Sequence, residues 1–168
     1  MEAEVSTKSD NVIQLKKDDS LLRLKIRDEN GEETGESLEF FLEDIELPLR
    51  YQQIVEEDKK NRANLRNQFI IIDKKEDHKG KKLLSSNEEA KIKAMQDFYK
   101  KEVEIYNMFL GEGGVEKLLN GRRLSWSTLD EIDEIIEKSI LPQLQVSAEK
   151  IKEKIMTKYG TKREDIIE

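Results

Sequence analysis

The chain has 168 residues, 36% hydrophobic and 40% charged, with a net charge of −7 and no cysteine. That length supports one domain with a real core but not two comfortable ones, and so much charge suits long helices with one apolar stripe rather than a thick enzyme core. The missing cysteine excludes disulfides and thiolate metal sites, and the negative balance argues against duplex nucleic acid or an anionic membrane as main partner.

Residues 1–20 are polar and lack periodicity, and are expected to be a flexible N-terminal segment. Their start, "MEAEVSTKSD", has neither the basic opening nor the apolar run of a signal peptide. No apolar stretch approaches the roughly 20 residues that a membrane-spanning helix needs. A soluble, cytoplasmic protein is the expectation.

In 21–42, Leu22, Leu24 and Ile26 alternate with Arg23, Lys25 and Arg27, and Leu38, Phe40 and Leu42 resume the alternation. With Asn30-Gly31 as turn and Gly35 as a second turn signal, this predicts a β-hairpin with one buried face. An isolated hairpin is marginal in water, so that face must rest on helices or extend a partner's sheet.

The segment 43–73 carries Tyr51, Ile54, Val55, Asp58, Arg62, Leu65, Phe69 and Ile72 at helical spacing, with Pro48 in the first turn. Asp58 and Arg62 interrupt that apolar face. A lysine-rich loop over 74–82 follows and is read as mobile and solvated. Ser86-Asn87-Glu88-Glu89 predicts a capping box for a helix with Ile92, Met95, Tyr99, Val103, Tyr106, Phe109 and Leu110 on its stripe. Gly111 stops it, and a short helix spans about 115–120. Ser127 is the expected cap of a last long helix with Leu129, Ile132, Ile135, Ile136 and Ile140 inward. Pro142 is expected to kink or break it before Leu144, Ile151, Ile155 and Tyr159 carry a second stretch to Gly160. The fold class is therefore mainly α (α+β), an N-terminal β-hairpin packed on about four helices. A single domain spans 21–160, and 161–168 is expected to be a flexible tail.

The stretch "GEGGVEKL" at 111–118 invites comparison with phosphate-binding loops. Glu116 stands where a second glycine is needed, Leu118 replaces the hydroxyl residue, and the glycines follow a helix instead of a buried strand. A helix stop and flexible hinge is the reading that remains. "DENGEETGESLE" at 28–39 has acidic residues at calcium-loop spacing, but Glu33 stands at the required glycine. His78 is the only histidine and has no second nitrogen or sulfur ligand, so no zinc site or histidine triad is expected. The 74–82 lysines alternate with acids and have no interleaved aromatic for base stacking. Trp126, close to Arg122 and Arg123, and Phe41, on the polar face of its strand, can each anchor a partner or pack within the domain.

Joined in order, these pieces resemble a known family. The phrases are "EDIELPLRYQQI", "FIIIDKKEDHKGKKLLSSNEEAKIKAM" and "FYKKEVEIYNMFLGEGGVEKLLNGRRLSWSTLDEIDEIIEKSILPQL". They are similar to the small tail assembly chaperones of long-tailed (siphovirus-type) phages and prophages of Gram-positive bacteria, over about residues 20–145. The hinge "FLGEGGVEKLLNGR" with the acidic, isoleucine-rich helix ending at "LP" is the most specific portion. The resemblance implies a non-enzymatic protein without cofactor or metal, acting in the bacterial host cytoplasm and absent from the mature virion. It implies binding to the tape measure protein, recruitment of tail tube protein and a tendency to self-associate; from the charge balance, neither nucleic acid nor membrane is the expected partner. The expected partner surface lies on both sides of the 111–127 hinge: Phe109, Leu110, Val115, Leu118, Leu119 and Trp126. A helical adaptor or regulatory protein for a cellular partner is the alternative.

Overall fold

Alternating apolar residues near the N-terminus pair as a two-stranded antiparallel hairpin, β1 (Leu21–Arg27) and β2 (Glu33–Phe41). The structure is a computed structural model that describes residues 11–15 and 20–160. Positions 1–10 and 16–19 of the expected N-terminal segment, and the expected tail 161–168, lie outside the described residues. In the hairpin Leu22 stands opposite Phe40 and Leu24 opposite Leu38, so one face is apolar on both strands. At the tip, Asp28 Oδ1 accepts from the backbone N–H groups of Asn30 and Glu32, both at 2.9 Å, and Gly31 adopts φ +80°. The carboxylate of the supposed calcium loop thus serves as a turn acceptor.

The hairpin rests on an antiparallel helix pair, α1 (Leu47–Asp73) and α2 (Ser86–Leu110). Phe40 meets Phe109 with ring centroids 5.4 Å apart, and Tyr51 of α1 meets the same ring edge-on at 5.6 Å. Pro48 lies in the first turn of α1 as expected, and the "FIII" end of the segment stays helical. The buried stripe of α2 is Ala94, Phe98, Glu102, Ile105, Tyr106, Phe109 and Leu110. The expected stripe is right at its C-terminal end, but Ile92 is exposed and Met95, Tyr99 and Val103 only partly buried. The true face runs through Glu102, a charge that apolar periodicity passes over.

Both caps differ by a residue or two from the sequence reading. Ser85 caps α2, its hydroxyl accepting from Glu88 N–H at 3.1 Å while Glu88 Oε1 accepts from Ser85 N–H at 3.0 Å. Ser86, one place later, instead accepts from His78 N–H at 3.0 Å. With Asp77 Oδ1 accepting from Asn87 N–H at 3.0 Å and Asn87 Nδ2 donating to Lys75 O at 2.9 Å, the lysine loop is tied to the helix start. Ser125, not Ser127, caps α4 (Trp126–Ile135), in a reciprocal bond pair with Thr128.

The glycine stretch is also tighter than a hinge. Gly111 ends α2 at φ +96°, and α3 (Gly114–Leu119) begins after Gly113 at φ +69°. Asn107 pins the turn: its Oδ1 accepts from Val115 N–H at 2.8 Å and its Nδ2 donates to Glu116 Oε2 at 3.2 Å. A methyl group at Gly114 would stand 2.6 Å from Leu110 Cβ, so only glycine lets α3 fold back onto α2.

From α4 the chain runs through a π-helical turn, Ile136–Ile140, directly into α5 (Leu141–Tyr159). The turn carries the helix past Pro142, which lacks an N–H, so the chain stays helical there and the expected break does not occur. Leu129, Ile132, Ile136, Ile140 and Leu144 stay buried throughout, whereas Ile155 and Tyr159 of distal α5 are exposed. Among the described residues no helix is long and apolar enough to cross a membrane.

Replacing Ser85 by Ala should lower stability by about 1 kcal/mol, the usual loss of an N-cap, and Ser86→Ala by less. Chemical denaturation of both variants checks the order; a larger loss for Ser86 would place the cap where the sequence reading had it. Gly114→Ala should cost about 1–3 kcal/mol through overpacking against Leu110.

Candidate functional site

Four of the six expected partner residues are core. Phe109, Leu110, Val115 and Leu119 are all buried, which corrects the expectation that they present a surface. The hairpin and α3 cover them because the short turns after α2 fold the chain back over its own apolar end. Leu118 is partly buried against the same core. Trp126 alone remains at the surface, 42% exposed, and Phe41 is exposed on the outer hairpin face.

Trp126 sits in the first turn of α4, where the Ser125 cap turns the chain toward α2. Its ring packs on Phe98 at 5.4 Å and on Tyr99 edge-on at 6.1 Å. The Arg62 guanidinium lies over the ring, 5.5 Å from its centroid. Such a cation–π contact contributes about 0.5–1 kcal/mol at an exposed site. The ring closes one end of an open groove of about 340 Å³ along α1, which Arg66, Phe69 and Ile70 also line. Ile70 is 48% exposed there. The sequence signal for Trp126 was its chemistry beside arginines; nothing in periodicity marked Arg66 or Ile70 as its neighbours.

Beneath this surface lies a polar cluster of which the sequence marks only Asp58 and Arg62. Arg62 Nε donates to both Asp58 oxygens, at 2.9 and 3.0 Å, and Arg62 Nη2 stands 3.7 Å from Asp133 Oδ2. Tyr106 donates its hydroxyl proton to Asp133. Asn61 Nδ2 donates to Glu102 Oε1 at 2.9 Å and to the Phe98 carbonyl at 3.1 Å. Glu102 is 0% exposed, and its Oε2 has no hydrogen-bond partner among the described residues.

Burial pushes the Glu102 carboxyl from its ordinary 4.5 up to about 8, and the neighbouring Asp58 carboxylate adds to the rise against the opposing Asn61 bond. Burial thus favours the protonated, neutral form of the Glu102 carboxyl. Burial likewise raises Asp133, partly offset by the Tyr106 hydrogen bond, and raises Tyr106 itself. The arrangement holds α1, α2 and α4 together, and Asp58, Tyr106 and Asp133 also line an open cleft of about 250 Å³ beside Tyr51 and Lys59. Among the described residues no group of three or more His, Cys, Asp or Glu is placed to hold a metal ion.

A second uncovered surface lies on α5, where Val146 and Ile151 border a groove of about 500 Å³ shared with Leu42 at the end of β2. Ser147 donates to the Leu42 carbonyl and Lys154 meets Glu43 at 3.5 Å, which fixes the start of α5 against the hairpin.

The raised Glu102 carboxyl gives a signed pH dependence. The folded chain holds a proton that the unfolded chain releases above its ordinary 4.5, so stability is full below that pH and falls as pH rises through about 8. Thermal midpoints from pH 5 to about 9 should decline in the parent, and Glu102→Gln, which mimics the protonated acid, should flatten the decline. An unchanged slope in the variant would assign the decline to other groups. Compared with protein-family models, with curated proteins and with solved structures, the chain matches none.

Proposed function

We propose that this chain is a tail assembly chaperone of a long-tailed phage or prophage. It binds the tape measure protein, keeps that long helical chain soluble and helps to recruit tail tube subunits, without enzymatic chemistry. It works in the cytoplasm of the bacterial host and leaves before the virion is complete. The order of phrases along residues 20–145 supports the family reading, and one observation carries the binding role. Trp126, a residue type enriched at interface hot spots, stands 42% exposed at the end of an apolar groove. Monomeric soluble domains keep most large aromatics covered, and a contiguous exposed apolar patch marks an interaction site. Helix-in-groove recognition suits both the groove and a helical partner.

Co-expression with the tape measure protein of the same gene cluster should bring that partner into the soluble fraction and retain it on the tagged chaperone. Trp126→Ala should weaken retention by about tenfold or more, the loss typical of a hot-spot aromatic. A tape measure protein that stays insoluble and unretained, or flanking genes without tail components, would sink the reading.

A further inference from the structure

We propose that the groove between α1 and the start of α4 docks an acidic amphipathic helix. The helix lays its apolar side on Trp126, Phe69 and Ile70 and pairs a carboxylate with Arg66. The inference rests on the binding role above and names the chemistry of the segment that role requires.

The chain carries a net charge of −7, yet α1 between Asp58 and Asp73 holds Lys59, Lys60, Arg62 and Arg66 and no Asp or Glu. Two of these cations are already occupied. Lys60 meets Glu57 at 3.7 Å, and Arg62 is held by Asp58 and Asp133. Lys59 and Arg66 have no ion-pair partner among the described residues. The acids near the groove are matched: Asp58 and Asp133 by Arg62, and Asp73 by Lys91. Arg66 is therefore the free charge of the groove, beside Phe69 and Ile70.

Positions 62, 66, 69, 70 and 73 recur at helical spacing, so they form one face of α1. At 1.5 Å per residue that face is about 16 Å long, or roughly three helical turns. This length fits a helical segment better than a small metabolite. Single-stranded nucleic acid is the competing polyanion, but Arg62 already covers a Trp126 face that a base would need for stacking. The chain's overall negative charge opposes an acidic partner only weakly at contact range, because the Debye length is about 8 Å at physiological salt. Local pairing at Arg66 then decides which helix stays. The docked helix therefore keeps its carboxylates on the α1 side.

Trp126 is the only tryptophan, so its emission reports occupancy directly. The probe is a synthetic amphipathic peptide of about three turns, with leucines on one face and glutamates on the flank; a twin carries lysine for every glutamate. The acidic peptide should produce a saturable change in emission, about tenfold or more weaker in Arg66→Glu, whereas the lysine twin should bind Arg66→Glu better than the parent. Circular dichroism confirms that the variant, altered at an exposed position, is folded. Equal binding of both peptides, or an Arg66→Glu variant indistinguishable from the parent, would overturn the proposal. So would a response to a single-stranded oligonucleotide in place of the acidic peptide, or an emission change produced by protein concentration alone, which would mark a second copy as occupant. Tape measure capture that survives Arg66→Glu would remove this proposal and leave the chaperone reading standing.

Discussion

A carboxyl group with no access to water, Glu102, constrains how α2 sits against α1. An ionised carboxylate alone in an apolar interior costs several kcal/mol, so the fold tolerates Glu102 only where a donor meets it and a proton stays on it. Asn61 supplies the donor across the α1–α2 interface, at 2.9 Å, and bonds the Phe98 carbonyl with the same amide. A shift of either helix by one residue would leave Asn61 without these acceptors and the carboxyl without its donor. The polar pair therefore selects one register out of several that apolar contacts alone would allow.

The same cluster reaches the surface. Asp58 orients Arg62, Arg62 bridges toward Asp133 on α4, and its guanidinium lies over the ring of Trp126. An exposed tryptophan left to itself would sample several rotamers; here Phe98, Tyr99 and Arg62 hold it from different directions. Ordering the ring before any partner arrives removes part of the entropy loss of binding. The buried Glu102 cluster and the exposed Trp126 ring are thus two ends of one network.

Much of the architecture was legible in the residues. The hairpin, both long helices, Pro48 in a first turn and Gly111 as a helix stop all follow from local rules of alternation, helical spacing and backbone freedom. Asp58 and Arg62 also stood out as charges on an otherwise apolar face, which is where the structure puts them. Cap positions were less secure because Ser85-Ser86 and Ser125-Ser127 each offer two hydroxyls at nearly equivalent spacing. In the first case the choice fell to contacts from the 74–82 loop, where Asp77 and His78 claim Ser86 and Asn87 and leave Ser85 as cap. The glycine stretch reads as a hinge in the sequence, and the Asn107 carboxamide, eight residues before the N–H it binds, pins it as a turn.

The elements and their amphipathic faces can be read from the residues alone, since they depend on positions three or four apart in a helix or two apart in a strand. Which of the apolar residues stay exposed depends on the tertiary fold. Phe109, Leu110, Val115 and Leu119 are as apolar as any interface, yet the hairpin and the Gly114 turn bury them. Trp126 stays half exposed because, among the described residues, Arg62 lies beside it and no element covers it. Burial is a property of what lies across a gap from a residue, and such neighbours come from distant parts of the chain. Local pattern finds the apolar face, and the fold chooses what covers it.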